Sequence, residues 1–222
     1  HDTYYIRDLR DSVVVVIQPE GSSRINVGDT YSYDGEFVHN YCFAKLYDGA
    51  GRLLYSHVPG DGGVRYAYDR RGRITYSDDG LLRSKGQARY FIYDEYDRLL
   101  EEGIGEPMVD ISGVRGGLVH DVSINQMFSH KESTRRLSYW TSTQSEGIPS
   151  DMFFEKVEGV VDSVDVSKER CLGSVSYEVL REITNNLGGH TRRAYWYDAK
   201  GRLVQMLENS SDGWSSRYSW KY

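Results

Sequence analysis

The sequence predicts a mainly β protein: an elongated antiparallel sheet of stacked hairpins with one irregular or partly helical insertion. Three observations predict it. The 222 residues include 19 Tyr and 23 Gly, but Ala only at 44, 50, 67, 88, 194 and 199. Tyrosine suits a pleated, half-buried surface and glycine suits tight turns. One short motif, Tyr-Asp-x-x-Gly-Arg-Leu/Ile, recurs along the chain. Aromatic residues alternate just ahead of that motif, which sets them on one face of a strand.

The motif occurs at Tyr47-Asp48-Gly49-Ala50-Gly51-Arg52-Leu53, at Tyr68-Asp69-Arg70-Arg71-Gly72-Arg73-Ile74, at Tyr93-Asp94-Glu95-Tyr96-Asp97-Arg98-Leu99 and at Tyr197-Asp198-Ala199-Lys200-Gly201-Arg202-Leu203. In the third copy Asp97 stands in place of Gly. Tyr177 to Ile183 reads as a worn copy, Tyr222 as the opening of another, and Tyr5 to Val16 as a weaker echo through Asp8 and Asp11. Asp-x-x-Gly is the pattern of a type I turn. The aspartate accepts a local backbone bond, and the glycine adopts the left-handed conformation that starts a bulged return strand. Asp97 tolerates the same conformation at some cost. Each unit is therefore a hairpin, and a lone hairpin is marginal in water, so the units must stack. The end strands of such a strip are open edges, which predicts edge-to-edge self-association.

These residues resemble the YD repeats of the RHS family, and in particular the long RHS-repeat proteins of Bacteroidetes-type bacteria. The likeness is strongest from Lys45 to Gly103, where three units run in tandem with Pro59-Gly60 between the first two, and returns from Tyr177 to Tyr222. The resemblance implies a β-strip that spirals into a hollow shell around a C-terminal effector, in an exported or cell-surface protein often described as carbohydrate-binding. The family's self-cleavage element lies near an Asp-Pro signature. The prolines here follow Gln18, Val58, Glu106 and Ile148, so no cleavage residue carries over.

The organisation expected is a hairpin strip over 1–103, an insertion or degenerate repeats over 104–174, and further repeats over 175–222. Within the insertion, Leu118 to Leu137 has apolar pairs at helical spacing. Tyr139 to Thr143 reads as strand, Thr143 to Asp151 as loop, and Val157 to Val166 as a stretch able to rejoin the sheet. The insertion is expected to plug or cover the strip. The chain opens at His1 rather than Met and reads as a piece of something longer.

Composition limits the functional classes. Against 33 Asp+Glu stand 27 Lys+Arg, a net charge of −6, which argues against a dedicated nucleic-acid partner. No apolar run approaches the roughly 20 residues of a membrane-spanning helix. The motif aspartates, Asp48, Asp69, Asp94 and Asp198, read as turn residues rather than an acidic site. The arginines Arg52, Arg73, Arg98 and Arg202 each read as lying over a neighbouring aromatic or pairing with an adjacent unit's aspartate. The histidines at 1, 39, 57, 120, 130 and 190 lack the close spacing of a zinc site. Cys42 and Cys171 make no disulfide framework, though they are free to pair. Gly60-Asp61-Gly62-Gly63 lacks the helix and lysine of a phosphate loop. No catalytic, cofactor or metal set converges. Trp140, Trp214 and Trp220 are the candidates for stacking on a sugar ring, or else for packing hairpin to hairpin.

Overall fold

The computed structural model describes residues 2–26, 28–33, 35–108, 124–140, 148–158, 173–181, 189–198 and 200–222. Their strands form one open, antiparallel, 13-stranded sheet in which every strand neighbours the next in sequence. The strands are β1 (Tyr4–Arg7), β2 (Val13–Ile17), β3 (Cys42–Tyr47), β4 (Leu53–His57), β5 (Val64–Tyr68), β6 (Ile74–Asp78) and β7 (Ala88–Tyr93). They continue as β8 (Leu99–Pro107), β9 (Phe128–Tyr139), β10 (Val175–Arg181), β11 (His190–Tyr197), β12 (Leu203–Ser210) and β13 (Ser215–Ser219). Among the described residues four short helices lie in connections: α1 (Pro19–Ser22), α2 (Glu36–Tyr41), α3 (Gly80–Ser84) and α4 (Ile124–Met127).

The chain divides into two compact units, residues 1–91 with 104–131, and residues 92–103 with 132–222. In the first unit α2 lays Val38 on Ile17, Cys42 and Ala44, with Val15, Tyr33, Phe37 and Tyr41 around them. A second aromatic group sets Phe128 against Tyr76 and Tyr90, each with ring centroids 5.7 Å apart. The β4–β5 loop closes on α3 through glycines. A Cβ on Gly62 would sit 2.6 Å from the Gly80 Cα, and Arg83 donates to the Gly62 and Gly63 carbonyls. Close backbone approach accounts for that glycine run.

In the second unit, Trp140, Met152, Ala194, Trp196, Val204 and Leu207 form the core, with Ile148, Phe154, Tyr177 and Tyr197 packed on it. Ile148, Met152 and Phe154 thus pack against the sheet of this unit.

Two expectations need correction. Residues 118–137 were expected to be helical. The helix α4 spans only Ile124–Met127, and Phe128–Tyr139 is the strand β9; residues 118–123 lie outside the described set. Partners elsewhere in the chain override the local periodicity, because β10 supplies the ladder (Leu137↔Glu178, Arg136↔Val179). Tyr177 opens no turn. It sits inside β10 opposite Ala194, so residues 177–181 of the supposed worn copy are strand, and 182–183 lie outside the described residues. The loop expected over Thr143 to Asp151 is seen from Ile148 onward. The strand expected at Tyr139 to Thr143 is seen only as the end of β9, and most of Val157 to Val166 lies outside the described residues.

Candidate functional site

The recurrent turn is the most regular feature of the chain. In the copy at Asp48, the Asp48 amide donates to the Arg52 carbonyl at 2.9 Å and the Gly51 amide donates to the Asp48 carbonyl at 3.0 Å. Asp48 Oδ1 accepts from the amides of Ala50 (2.8 Å) and Arg52 (2.9 Å). Oδ2 accepts from Arg52 Nε and Nη2, both at 2.6 Å. Gly51 has φ +82°, in the left-handed region that an L-residue other than Gly, Asn or Asp rarely enters. The copies at Asp69, Asp94 and Asp198 repeat this arrangement, with Oδ1 on the amides of Arg73, Arg98 and Arg202 at 2.9 Å each. Gly72 (φ +80°), Asp97 (+66°) and Gly201 (+77°) hold the left-handed position. A register shift beside Tyr47, Tyr68 and Tyr197 marks the bulge.

The same turn closes hairpins that do not spell the motif. At Asp8, the Asp8 amide meets the Ser12 carbonyl at 3.0 Å, Oδ1 takes the Arg10 and Ser12 amides, and Asp11 has φ +65°. The echo from Tyr5 to Val16 is thus a true turn with Ser12 in the arginine position. Between β9 and β10, Trp140 donates its amide to the Ser174 carbonyl at 2.9 Å, and Gly173 (φ +84°) donates to the Trp140 carbonyl at 3.1 Å. Trp140, Gly173 and Ser174 therefore stand where Asp, Gly and Arg stand elsewhere, and residues 141–172 replace the two central residues. Every odd-to-even strand connection closes this way. The β12–β13 connection does so too, closed by Ser210 and Gly213 (φ +90°) with the same backbone bonds, whereas β6–β7 is joined through α3.

Consecutive hairpins interlock through the motif arginine and the carbonyl after it. The Arg52 guanidinium lies 5.2 Å from the Tyr68 ring centroid, and Tyr68 donates its hydroxyl to the Leu53 carbonyl at 2.7 Å. Arg98 lies 4.4 Å from Tyr139, whose hydroxyl meets the Leu99 carbonyl at 2.7 Å. Arg202 lies 4.5 Å from Tyr222, whose hydroxyl meets the Leu203 carbonyl at 2.9 Å. Tyr197 donates likewise to the Val175 carbonyl at 3.0 Å. The aromatic contact matches the sequence reading. The aspartate each arginine grips is that of its own turn, not of the neighbouring unit, because the bulge brings residues i and i+4 face to face. One cation–π contact and one hydrogen bond together contribute about 1–3 kcal/mol per junction.

The motif carboxylates are saturated with donors from their own turns. Burial acts to raise the carboxyls of Asp48, Asp69, Asp94 and Asp198, but the amide and guanidinium hydrogen bonds from the following arginine outweigh it and hold each below the ordinary range. Two further carboxylates are buried with partners. Asp78 accepts from Arg65 (2.9 and 2.5 Å), Arg83 (2.5 Å) and the Tyr76 hydroxyl (2.7 Å). Glu178 accepts from Arg135 (2.5 Å) and the Tyr195 hydroxyl (2.7 Å), while Arg193 bridges Glu178 and Glu208. Burial and the adjacent carboxylate push the Tyr76 and Tyr195 hydroxyls upward. These buried clusters were not legible as such, because their members come from different strands.

Trp140 is buried, and its Nε1 donates to the Tyr195 carbonyl at 3.2 Å, so it packs hairpin to hairpin and presents no face to a sugar. Trp214 and Trp220 are exposed, with the Trp220 ring stacked against Tyr218 at 6.4 Å. His39 and His57, distant in sequence, lie with ring centroids 5.4 Å apart and planes tilted by 34°, and His57 Nε2 meets the His39 carbonyl at 3.2 Å. Among the described residues no group of three His, Cys, Asp or Glu is placed to hold a metal ion. Cys42 is buried and free; Cys171 lies outside the described residues. No helix among the described residues is long and apolar enough to cross a membrane.

No family model matches the chain, and no curated protein matches it. Solved structures do. It is similar to the crystal structure of TcdB2-TccC3-Cdc42, with a TM-score of 0.42 and 13% identity over 97% of this chain and 11% of that one. It is similar to that of TcdB2-TccC3 with a TM-score of 0.42 and 14% identity, over 96% of this chain and 11% of the other. The chain spans about a tenth of the length of the solved chains it matches.

Proposed function

We propose that the chain is a non-enzymatic structural repeat module of an exported, extracellular or cell-surface RHS-type protein, in which successive hairpins build part of a scaffold or effector-enclosing shell. One observation carries this reading: the turns at Asp48, Asp94 and Asp198 each spend the arginine and the following carbonyl on a tyrosine further along the strip, so these polar groups are committed to joining units. Tyr47, Tyr68, Tyr93 and Tyr197, with the aspartates, glycines and arginines that follow them, are then joints rather than a reactive centre. The partners are the neighbouring repeats of the parent chain and an enclosed C-terminal effector. Electron microscopy of the purified parent protein tests it. A closed wall containing this segment is expected; a segment standing free of any wall sinks the reading.

A second reading has a specific observation behind it. Trp214 and Trp220 are exposed, and Trp220 is paired with Tyr218, which suits a carbohydrate or cell-wall contact. Glycan-array binding that disappears in both Trp214→Ala and Trp220→Ala is expected on that reading. Binding unchanged by both substitutions removes it.

A further inference from the structure

The segment 148–158 meets the sheet of the second unit in an unusual way. Residues 153–156 belong to no strand, yet their main chain is gripped by sheet side chains. Gln205 Oε1 accepts from the Glu155 amide at 2.9 Å, and Gln205 Nε2 donates to the Glu155 carbonyl at 2.8 Å. Arg217 Nη1 donates to the Phe153 carbonyl at 2.8 Å. Such contacts read an extended backbone, not a side-chain identity.

Side chains of the sheet hold these groups in place. With the segment laid over it Gln205 has 0% exposure, and a buried amide is costly unless its hydrogen bonds are made. Arg217 Nη1 donates to Oε1 at 2.8 Å, and Nε2 donates to Ser219 Oγ at 3.0 Å. One acceptor site and one N–H remain, and both are aimed at the same residue of the segment. Beside them is a socket. Met152, 2% exposed, enters the group formed by Trp140, Ala194, Trp196, Val204 and Leu207. Cations flank the socket: Arg217 Nε lies 3.0 Å from Glu155 Oε2, and Arg192 Nη2 lies 2.8 Å from Asp151 Oδ2.

We infer that this face of the second unit is a peptide-binding groove, filled in cis by residues 148–158, and that it accepts an extended acidic peptide from another protein. The resident segment defines the ligand chemistry: a carboxylate, then an unbranched apolar side chain for the socket, then a second carboxylate three residues on. Gln205 and Arg217 hold its main chain, and Arg192 and Arg217 hold its charges. An unbranched thioether suits an irregular pocket bordered by two indoles.

The test uses the full chain with protease sites inserted after Gln144 and after Lys168, so that cleavage frees the resident segment at both ends. A fluorescent peptide of residues 148–158 is titrated into the cleaved protein. Saturable binding with release of the resident fragment is expected. Placing the changes in the peptide leaves the protein's own stability untouched. Methylating the Glu155 amide nitrogen, which removes the donor to Gln205, and Met152→Ala should each weaken binding by about tenfold or more. Loss of the β signal on cleavage overturns the inference, since the segment is then part of the fold. So does absence of saturable binding, or binding indifferent to N-methylation. Capture of the segment only within a dimer also overturns it, in favour of exchange between copies.

Discussion

At the scale of single residues, the turn shows how one position can tolerate a side chain while another two residues away cannot. Gly49 and Gly51 lie in the same turn. A Cβ on Gly49 would meet nothing within 4 Å, and Gly51 has φ +82°. Gly51→Ala should cost about 1 kcal/mol from backbone strain, whereas Gly49→Ala should be close to neutral. Urea melts of the two variants check this, and equal costs would refute the left-handed assignment. The aspartates give a second expectation at this scale. Their carboxyls are lower in the folded chain than in the unfolded one, so each adds stability that is complete above about pH 4 and lost as pH falls through its depressed folded value. Asp69→Asn should lower the urea midpoint at pH 7 and flatten its decline below about pH 4. A variant whose acid limb keeps the parent slope would contradict the arrangement at Asp69.

At the scale of elements, hairpins are joined by few groups. Tyr68→Phe removes the hydroxyl from the Leu53 carbonyl at 2.7 Å while keeping the ring under Arg52. It should cost about 1 kcal/mol. Arg52→Met removes both the cation over that ring and the Asp48 partner, and should cost more. Thermal melts rank the two, and the reverse order would place the joint elsewhere. The β9–β10 hairpin shows that the turn is a backbone device first. Trp140 and Gly173 make its two hydrogen bonds without aspartate or arginine, across residues 141–172. Local chemistry made Asp-x-x-Gly legible, since all its partners lie within four residues. The same turn split by a long excursion leaves no local pattern, which is why Tyr177 read as a turn and Phe128–Leu137 read as helix.

At the scale of the molecule, each of the two units has its own core, and repeat architectures distribute stability by neighbour contacts. Met152→Ala empties a socket of the second unit and should cost about 2–5 kcal/mol. Hydrogen exchange is expected to speed up in β11 and β12 while β3 to β6 keep their protection. Equal loss throughout would mean that the sheet unfolds as one cooperative element. The excursion of 148–158 adds something that the strip alone does not imply, a face whose buried Gln205 amide completes its hydrogen bonds on a main chain laid across it.

The sequence by itself determined the hairpin, the turn and the stacking of successive hairpins, because period-two aromatics and the Asp-x-x-Gly pattern act within a few residues. Only the tertiary structure decided which arginine covers which tyrosine, that Trp140 is core rather than contact surface, and that Gln205 meets Glu155. Those pairings join positions far apart in the chain, and sheet register, not local propensity, brings them within bonding distance.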